Sequence, residues 1–270
     1  MAAGVDAARC DKALGATVVD YWNERAITYS NGVRDELAGN CHKAWAEILR
    51  EKLGFSKETG CSEEFRVLDL GCGPGFFSVL LSRMGVAVHA VDTSETMLAR
   101  ARENVAAAGR PELVEYLCAD IASLPLPSES YDAVVLRNVT WLMQEPTAAY
   151  EEWKRLLRPG GKLVVFDANW YSYLADEALN QRREADQSDM AVLNWREDAF
   201  ASEKQERRCE AIASKLPLTY EQRPSWDVKV LSKLGFAGVS ADEDIYRRLW
   251  TKGEQAFYAT SPLFVVEATK

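Results

Sequence analysis

The residues best suited to chemistry stand in one stretch, Val67-Leu68-Asp69-Leu70-Gly71-Cys72-Gly73-Pro74-Gly75-Phe76, where a strand-like apolar run ends in three glycines at alternate positions. Glycine there permits a tight turn and lets a ligand approach backbone that a Cβ would shield. The free N–H groups of a following helix would point at that ligand. A purely structural turn accounts for the same glycines, so the motif alone does not decide. Asp92 follows 21 positions after Gly71, at the end of the next strand-like run. A carboxylate at that place can accept two hydrogen bonds from a ribose diol. Helix capping is the plainer role, but Ser94 already suits it. Asp120, before Ile121, ends a third run; the acid can accept from the exocyclic amine of an adenine while its apolar neighbour packs on the ring.

Two kinds of nucleotide ligand compete for this pattern. Dinucleotide sites use G-x-G-x-x-G, whereas the third glycine here comes one residue early, as G-x-G-x-G. Pro74 also removes an N–H from a loop that would need donors to cradle a pyrophosphate. The spacing therefore turns away from a pyrophosphate. With only His42 and His89 in the chain, neither a histidine-centred triad nor a histidine-rich metal site is expected. No general base can be assigned among Asp167, Tyr171 and Tyr173, and Asp167 reads as a capping or turn residue.

These residues require a particular scaffold. Residues 17 to 54 read as helical, with a break near Ser30-Asn31-Gly32. After the polar stretch Ser56 to Glu64, strands at Phe65–Leu70, Ala87–Val91, Leu113–Ala119, Tyr131–Leu136 and Lys162–Phe166 alternate with helical patterns. Those helices start at Phe76, after Asp92-Thr93-Ser94, and at Pro146; Gly109 and Pro159-Gly160-Gly161 stop the last two. Such alternation predicts a doubly wound, mostly parallel sheet, with ligands at the carboxyl ends of its strands. Residues 171 to 225 break the rhythm and are too long for a connection inside a compact domain, which predicts an inserted helical cap. A helix over Trp226–Leu234 and strands over Gly238–Ile245 and Pro262–Thr269 complete the chain. The expected division is 1–64 as an N-terminal helical cap, 65–169 as the cofactor-binding core, 170–225 as the inserted substrate cap and 226–270 as the closing helix and strand pair.

Of the 270 residues, 47% are hydrophobic and 27% charged, and the formal net charge is −9. That acidity argues against binding nucleic acid or an anionic membrane. The N-terminus has no signal-peptide pattern, and no apolar run approaches the ~18 residues of a membrane span. Cysteines at 10, 41, 61, 72, 118 and 209 form no C-x-x-C pair and read as reduced thiols of a cytoplasmic protein with no metal. Asn138-Val139-Thr140 matches a glycosylation pattern by accident in that setting. The mixed-sign run Glu203–Glu210 reads as a solvated helix face, and His89 as structural.

Four segments in order, VLDLGCGPGF, AVDTSETMLARAREN, CADIASLPLPSESYDAVVLRNV and LLRPGGKLVVFD, resemble the class I S-adenosylmethionine-dependent methyltransferases, nearest in style to the small-molecule branch that includes quinone-biosynthesis enzymes. The resemblance covers residues 65 to 169. It implies a Rossmann-like α/β fold, a doubly wound seven-stranded sheet with the last strand antiparallel, here with N-terminal helices and an inserted helical cap. It further implies S-adenosylmethionine as cofactor, S-adenosylhomocysteine as product and a small-molecule methyl acceptor. Carried over by position, Gly71, Cys72 and Gly73 approach the methionine moiety, and Asp69 supports the loop, through a water in some cases. Asp92 holds the ribose hydroxyls with Thr93 and Met97 alongside the adenosine, Asp120 and Ile121 meet the adenine, and Arg137 offers its backbone to the methionine end. In YWNERAITYS, Arg25 and Tyr29 close over the cofactor.

The acceptor pocket is expected outside the core, from Trp22, Asn138 and Trp141 and from Asn169, Trp170, Tyr171 and Tyr173; packing of the cap onto the sheet explains the same aromatic residues. Two other functions remain open on sequence: a nicotinamide-dependent oxidoreductase, and a non-catalytic regulatory protein of the same fold. The acceptor, the atom methylated and the oligomeric state are not written in these motifs.

Overall fold

The computed structural model describes residues 11–55, 64–191 and 201–270. Cys10, Cys61, most of the polar stretch from 56 and part of the expected cap insertion lie outside the described residues. Two helices come first, α1 (Lys12–Ala38) and α2 (Cys41–Leu53). Then β1 (Arg66–Leu70), α3 (Phe76–Arg83), β2 (Ala87–Asp92), α4 (Glu95–Ala108), β3 (Val114–Cys118), β4 (Tyr131–Arg137), α5 (Pro146–Leu156) and β5 (Leu157–Asp167) alternate. The chain continues through α6 (Glu177–Ala191), α7 (Glu203–Ala213), α8 (Ser225–Lys233), β6 (Ala237–Asp242), α9 (Tyr246–Leu249) and α10 (Lys252–Phe257) to β7 (Phe264–Thr269).

The seven strands form one sheet in the order β3-β2-β1-β4-β5-β7-β6, with β1 to β5 parallel and β7 antiparallel between β5 and β6. Apolar side chains on both faces of the central strands require cover on both sides. One face buries Trp45, Phe76, Phe77, Leu98 and Val105 from α2, α3 and α4, and the other buries Ala149, Tyr150, Trp153 and Leu231 from α5 and α8. Register pairs Leu70 with Val91 and Leu136, and Arg137 with Phe166. Gly71, Asp92, Asn138 and Asp167 therefore follow or end strands along one carboxyl edge, at the point between β1 and β4 where strand order reverses.

Three local expectations need correction. Helix α1 runs unbroken through Ser30-Asn31-Gly32 and ends at Gly39. The reason is tertiary: Asn104 Nδ2 donates to Ser30 Oγ at 3.1 Å and to the Pro74 carbonyl at 2.8 Å, while Arg34 Nε donates to Asn104 Oδ1 at 2.6 Å. The polar residues that read as a break tie α1 to α4 and to the glycine turn. Second, Pro159-Gly160-Gly161 lies inside β5 as an irregularity, because the register passes from Tyr131↔Leu157 to Ala133↔Lys162. Gly160 at φ +78° takes the left-handed turn, and the Gly160 N–H is satisfied by the Lys270 carbonyl at 2.9 Å. Third, the segment expected as a strand to Ile245 leaves the sheet after Asp242. Ile245 is buried on the α2–α4 face of the sheet, which draws the chain out of the strand.

The cap has a core of its own. Leu14 and Tyr21 of α1, Trp141, and Cys209, Ile212 and Leu216 at α7 pack together, and Arg208 pairs with Glu24 at 2.6 Å. The run 203–210 is thus only partly a solvated face, since Cys209 is buried. The cap's chain returns to the sheet through Arg223, which is buried between two acids: Nη1 donates to Asp167 Oδ2 at 2.8 Å, and Nε to Asp227 Oδ2 at 2.9 Å. Asp227 also accepts the Tyr150 hydroxyl at 2.5 Å.

Removing one partner from a buried pair strands the other charge, at a cost of about 3–5 kcal/mol. Asp227→Ala is expected to lower the unfolding free energy by that amount in urea titrations. Glu51→Ala, which breaks an exposed pair with Arg248, is expected to lower it by about 1 kcal/mol or less.

Candidate functional site

The glycine turn is held from both sides. Asp92 Oδ2 accepts the Gly73 N–H at 2.9 Å and its Oδ1 accepts the Ser94 N–H at 2.9 Å. Ser94 caps α4 by accepting from Met97 N at 3.0 Å, which leaves Asp92 free of the capping role. Asp69 is buried and accepts the Ser78 hydroxyl at 2.6 Å, so it fastens the end of β1 to α3 directly. Gly71, Gly73 and Gly75 all have positive φ, but their surroundings differ. A Cβ on Gly71 would fall 2.6 Å from both Val139 methyls, and one on Gly75 would fall 3.1 Å from Ala101, so the protein's own packing demands those two glycines. A Cβ on Gly73 would meet only Tyr29 Cε1 at 3.8 Å. Gly73 is therefore the position with room for a ligand against its backbone.

Around this turn, Cys72 is buried, its N–H donates to the Val91 carbonyl at 3.0 Å, and burial pushes its thiol well above the usual range, which makes it a packing residue rather than a nucleophile. Met97 is buried, Thr93 is exposed, and Asp120 is exposed with Oδ1 accepting the Ala122 N–H at 2.9 Å. Ile121 points into the core and its carbonyl accepts from Trp153 Nε1 at 2.8 Å, so the structure uses its side chain for packing. On β3, the Tyr116 hydroxyl is buried without a partner. Arg137 pairs its side chain with Glu36 at 2.6 Å and lies over the rings of Trp45 and Phe76.

Beside the turn opens a cavity of about 260 Å³ with aromatic walls. Trp22, Asn138, Trp141, Trp170, Tyr171 and Tyr173, each expected at an acceptor pocket, all line it, and so do Arg25 and Tyr29. Asn169 does not: its Nδ2 donates to the Arg223 carbonyl at 2.8 Å, and it serves the junction beneath the cavity. Tyr29 connects the two regions, since it touches the space above Gly73, lines the cavity and packs edge-on against Trp22. Asn138 itself holds a left-handed backbone at φ +59°, a cost sustained here by the 2.8 Å bond from its N–H to the Phe166 carbonyl.

Asp167 is settled by its contacts. Oδ1 accepts from Ala168 N at 2.9 Å and Trp170 Nε1 at 3.0 Å, and Oδ2 accepts from Trp141 N at 3.1 Å and Arg223 Nη1 at 2.8 Å. Every partner is a donor, so the carboxylate is ionised and fully used; it orients two cavity walls and is no general base. Burial raises the phenol pKa of Tyr21, Tyr171 and Tyr173, helped by the Cys209 thiol at Tyr21 and Tyr171 and by Glu210 at Tyr173, so all three hold their protons and none offers a phenolate as base. Sequence reasoning missed Arg183 and Gln187 of α6, Phe257 at the end of α10, and Tyr258, Thr260 and Ser261 after it. Nothing in their local pattern marks them, because the sheet and cap bring them together from separate segments. Among the described residues no group of three or more His, Cys, Asp or Glu could hold a metal, and no helix is long and apolar enough to cross a membrane.

Burial pushes Asp69 up to about 7, against about 4 in an unfolded chain. The folded state then holds the proton more tightly, so this group's contribution to stability falls as pH rises from about 4 to about 7 and is flat above. Asp69→Asn, which keeps an acceptor for Ser78, is expected to flatten that part of the pH profile of urea unfolding.

Residues 68–165 match the family model described as a methyltransferase domain. Demethylmenaquinone methyltransferase of Clavibacter sepedonicus is 40% identical over 104 residues, 37% of this chain and 40% of that protein. Malonyl-[acyl-carrier protein] O-methyltransferase of Enterobacter lignolyticus is 38% identical over 120 residues, 44% of this chain and 43% of that protein. The chain thus spans less than half the length of either relative. Among solved structures, a phosphoethanolamine N-methyltransferase of Haemonchus contortus superposes with a TM-score of 0.61 at 16% identity, covering 93% of this chain and 60% of that one. Geranyl diphosphate C-methyltransferase of Streptomyces coelicolor gives 0.59 at 14%, covering 97% and 99%. With the strand order and the glycine turn above, these likenesses identify residues 68–165 as a class I S-adenosylmethionine-dependent methyltransferase domain.

Proposed function

We propose that the protein transfers a methyl group from S-adenosylmethionine to a small-molecule acceptor held in the aromatic cavity. The observation that carries this reading is the convergence, at one reversal of strand order, of an open backbone at Gly73, the Asp92 carboxylate beside it and an aromatic cavity reached through Tyr29. Pro74 and the early third glycine speak against a nicotinamide dinucleotide in the same crevice.

The residues fit the cofactor. Gly73 leaves room for the methionine end, Asp92 can exchange its bond to the Gly73 N–H for ribose hydroxyls, and the unpartnered Tyr116 hydroxyl and Asn138 Oδ1 are polar atoms that a ligand would satisfy. Gly71, Cys72, Asp69, Thr93 and Met97 shape that cradle, Asp120 and the backbone of Ile121 bound its adenine end, and Arg137 contributes main chain at the end of β4. Arg25 and Tyr29 of α1 cover it from the cavity side. When bound, S-adenosylmethionine supplies an electrophilic methyl group on a sulfonium. The chain's task is then alignment and exclusion of water, which is worth about 7–11 kcal/mol of barrier in well-oriented reactions. Trp141 and Trp170, fixed by Asp167, hold the acceptor's side of that alignment. The helices of residues 1–64 and 170–225 serve as cover, and 226–270 closes the sheet and adds Phe257 and Tyr258 to the wall.

Incubation with labelled S-adenosylmethionine and a metabolite extract is expected to label a small molecule identifiable by mass; tight cofactor binding without transfer across a broad acceptor panel would favour a regulatory role. Asp92→Ala is expected to weaken S-adenosylhomocysteine binding about tenfold or more by calorimetry, the scale of losing charge-assisted hydrogen bonds. Unchanged affinity in the folded variant would remove Asp92 from the ribose site.

A further inference from the structure

Three N–H donors on residues lining the aromatic cavity are buried without partners: Trp22 Nε1, Arg25 Nε and Arg183 Nε. Leaving a buried donor unmade costs about 1–3 kcal/mol, so a ligand that brings acceptors would be favoured beside these three, as one that brings a donor would be beside the unpartnered Asn138 Oδ1 of the same wall. Arg25 is buried and has no acidic partner within ion-pair distance among the described residues, and the cofactor reading places it over the methionine end. Arg183 of α6 is different, because no part of that reading uses it.

The guanidinium of Arg183 is held in place without being closely neutralised. It stacks on the Tyr173 ring with 3.9 Å to the centroid, and Nη1 donates to Gln187 Oε1 at 3.1 Å. Among the described residues its ion-pair partner is Glu210, whose carboxylate stands 3.9 Å away and also accepts the Tyr173 hydroxyl at 2.8 Å. The other acid on the wall, Glu206, is exposed to solvent. A stacked guanidinium keeps the edge of its planar fork available, and that edge matches the two oxygens of a carboxylate or phosphate. The rest of the wall, Trp141, Trp170 and Tyr171, suits an apolar body.

We infer that the methyl acceptor is an organic acid with an apolar body, its oxyanion received by Arg183 and offered a further N–H by Trp22. This rests on the methyltransferase reading of the site and adds to it the charge of the acceptor. Amine acceptors, which Glu206 and Glu210 would favour, are the opposing case.

The test uses the full chain saturated with S-adenosylhomocysteine and probes that share a ring but differ in charge: benzoate, phenyl phosphate, benzamide and benzylamine. Binding is read by quenching of tryptophan fluorescence. One or both anions are expected to bind about tenfold or more tightly than the amide or the amine, and Arg183→Gln is expected to remove about that factor, the scale of one charge-assisted hydrogen bond. Arg183→Lys is expected to restore part of it, and S-adenosylhomocysteine affinity is expected to stay within about twofold in both variants, since Arg183 lies outside the cofactor cradle. Equal binding of all four probes, binding of none, preference for benzylamine, or an unchanged preference in Arg183→Gln would each overturn the inference. Loss of S-adenosylhomocysteine binding in the native chain would instead overturn the methyltransferase reading, so the two failures are distinguishable.

Discussion

The rest of the structure depends on one buried charge. Arg223 sits with almost no exposure between Asp167 at the end of β5 and Asp227 in α8. A guanidinium taken out of water survives only where carboxylates replace its hydration, and here two do so with good geometry. Burial works against the charge, but Asp227 and Asp167 outweigh it and hold Arg223 above its ordinary pKa. The pairing fixes where the chain leaving the cap meets the sheet, and the Tyr150 hydroxyl extends it to α5 on the sheet's flank.

That constraint reaches the cavity through Asp167. The carboxylate is anchored by Arg223 on one side and spends its remaining lone pairs on the main chain of Trp141 and the indole of Trp170. Two cavity walls from different segments are thereby set against a single acid. The alignment proposed above needs no acid–base pair, which accords with the scarcity of histidine and with tyrosines whose hydroxyls are hard to ionise. On the other side, Asn104 joins α1, α4 and the glycine turn in one hydrogen-bond network.

The glycine turn divides its labour more finely than its spacing suggests. Gly71 and Gly75 are small because Val139 and Ala101 press on them, and Gly73 alone faces open space. Asp92 holds the Gly73 N–H, so the carboxylate proposed above for the ribose also shapes the backbone beside it. Asp69 is buried and Asp92 half-buried close by; desolvation raises the pKa of both, and hydrogen bonds from Ser78 and from the backbone offset only part of it.

Much was legible from local pattern. Alternating apolar runs gave the parallel core, the glycine spacing and Asp92 located the crevice, and the aromatic residues after β4 and β5 pointed to the cavity wall. The pattern misled where distant partners override local preference. Ser30-Asn31-Gly32 stays helical because Asn104 and the turn engage it, and Pro159-Gly160-Gly161 is absorbed into β5 because Lys270 pairs with it. The sequence by itself determined the sheet's rhythm and the crevice, since periodicity and backbone freedom act over a few residues. Only the tertiary structure decided the pairing of Arg223 with Asp167, and the meeting of Arg183, Trp22 and Tyr258 at one cavity. Those contacts join segments far apart in the chain, and no local spacing encodes which of many buried or half-buried side chains will be neighbours.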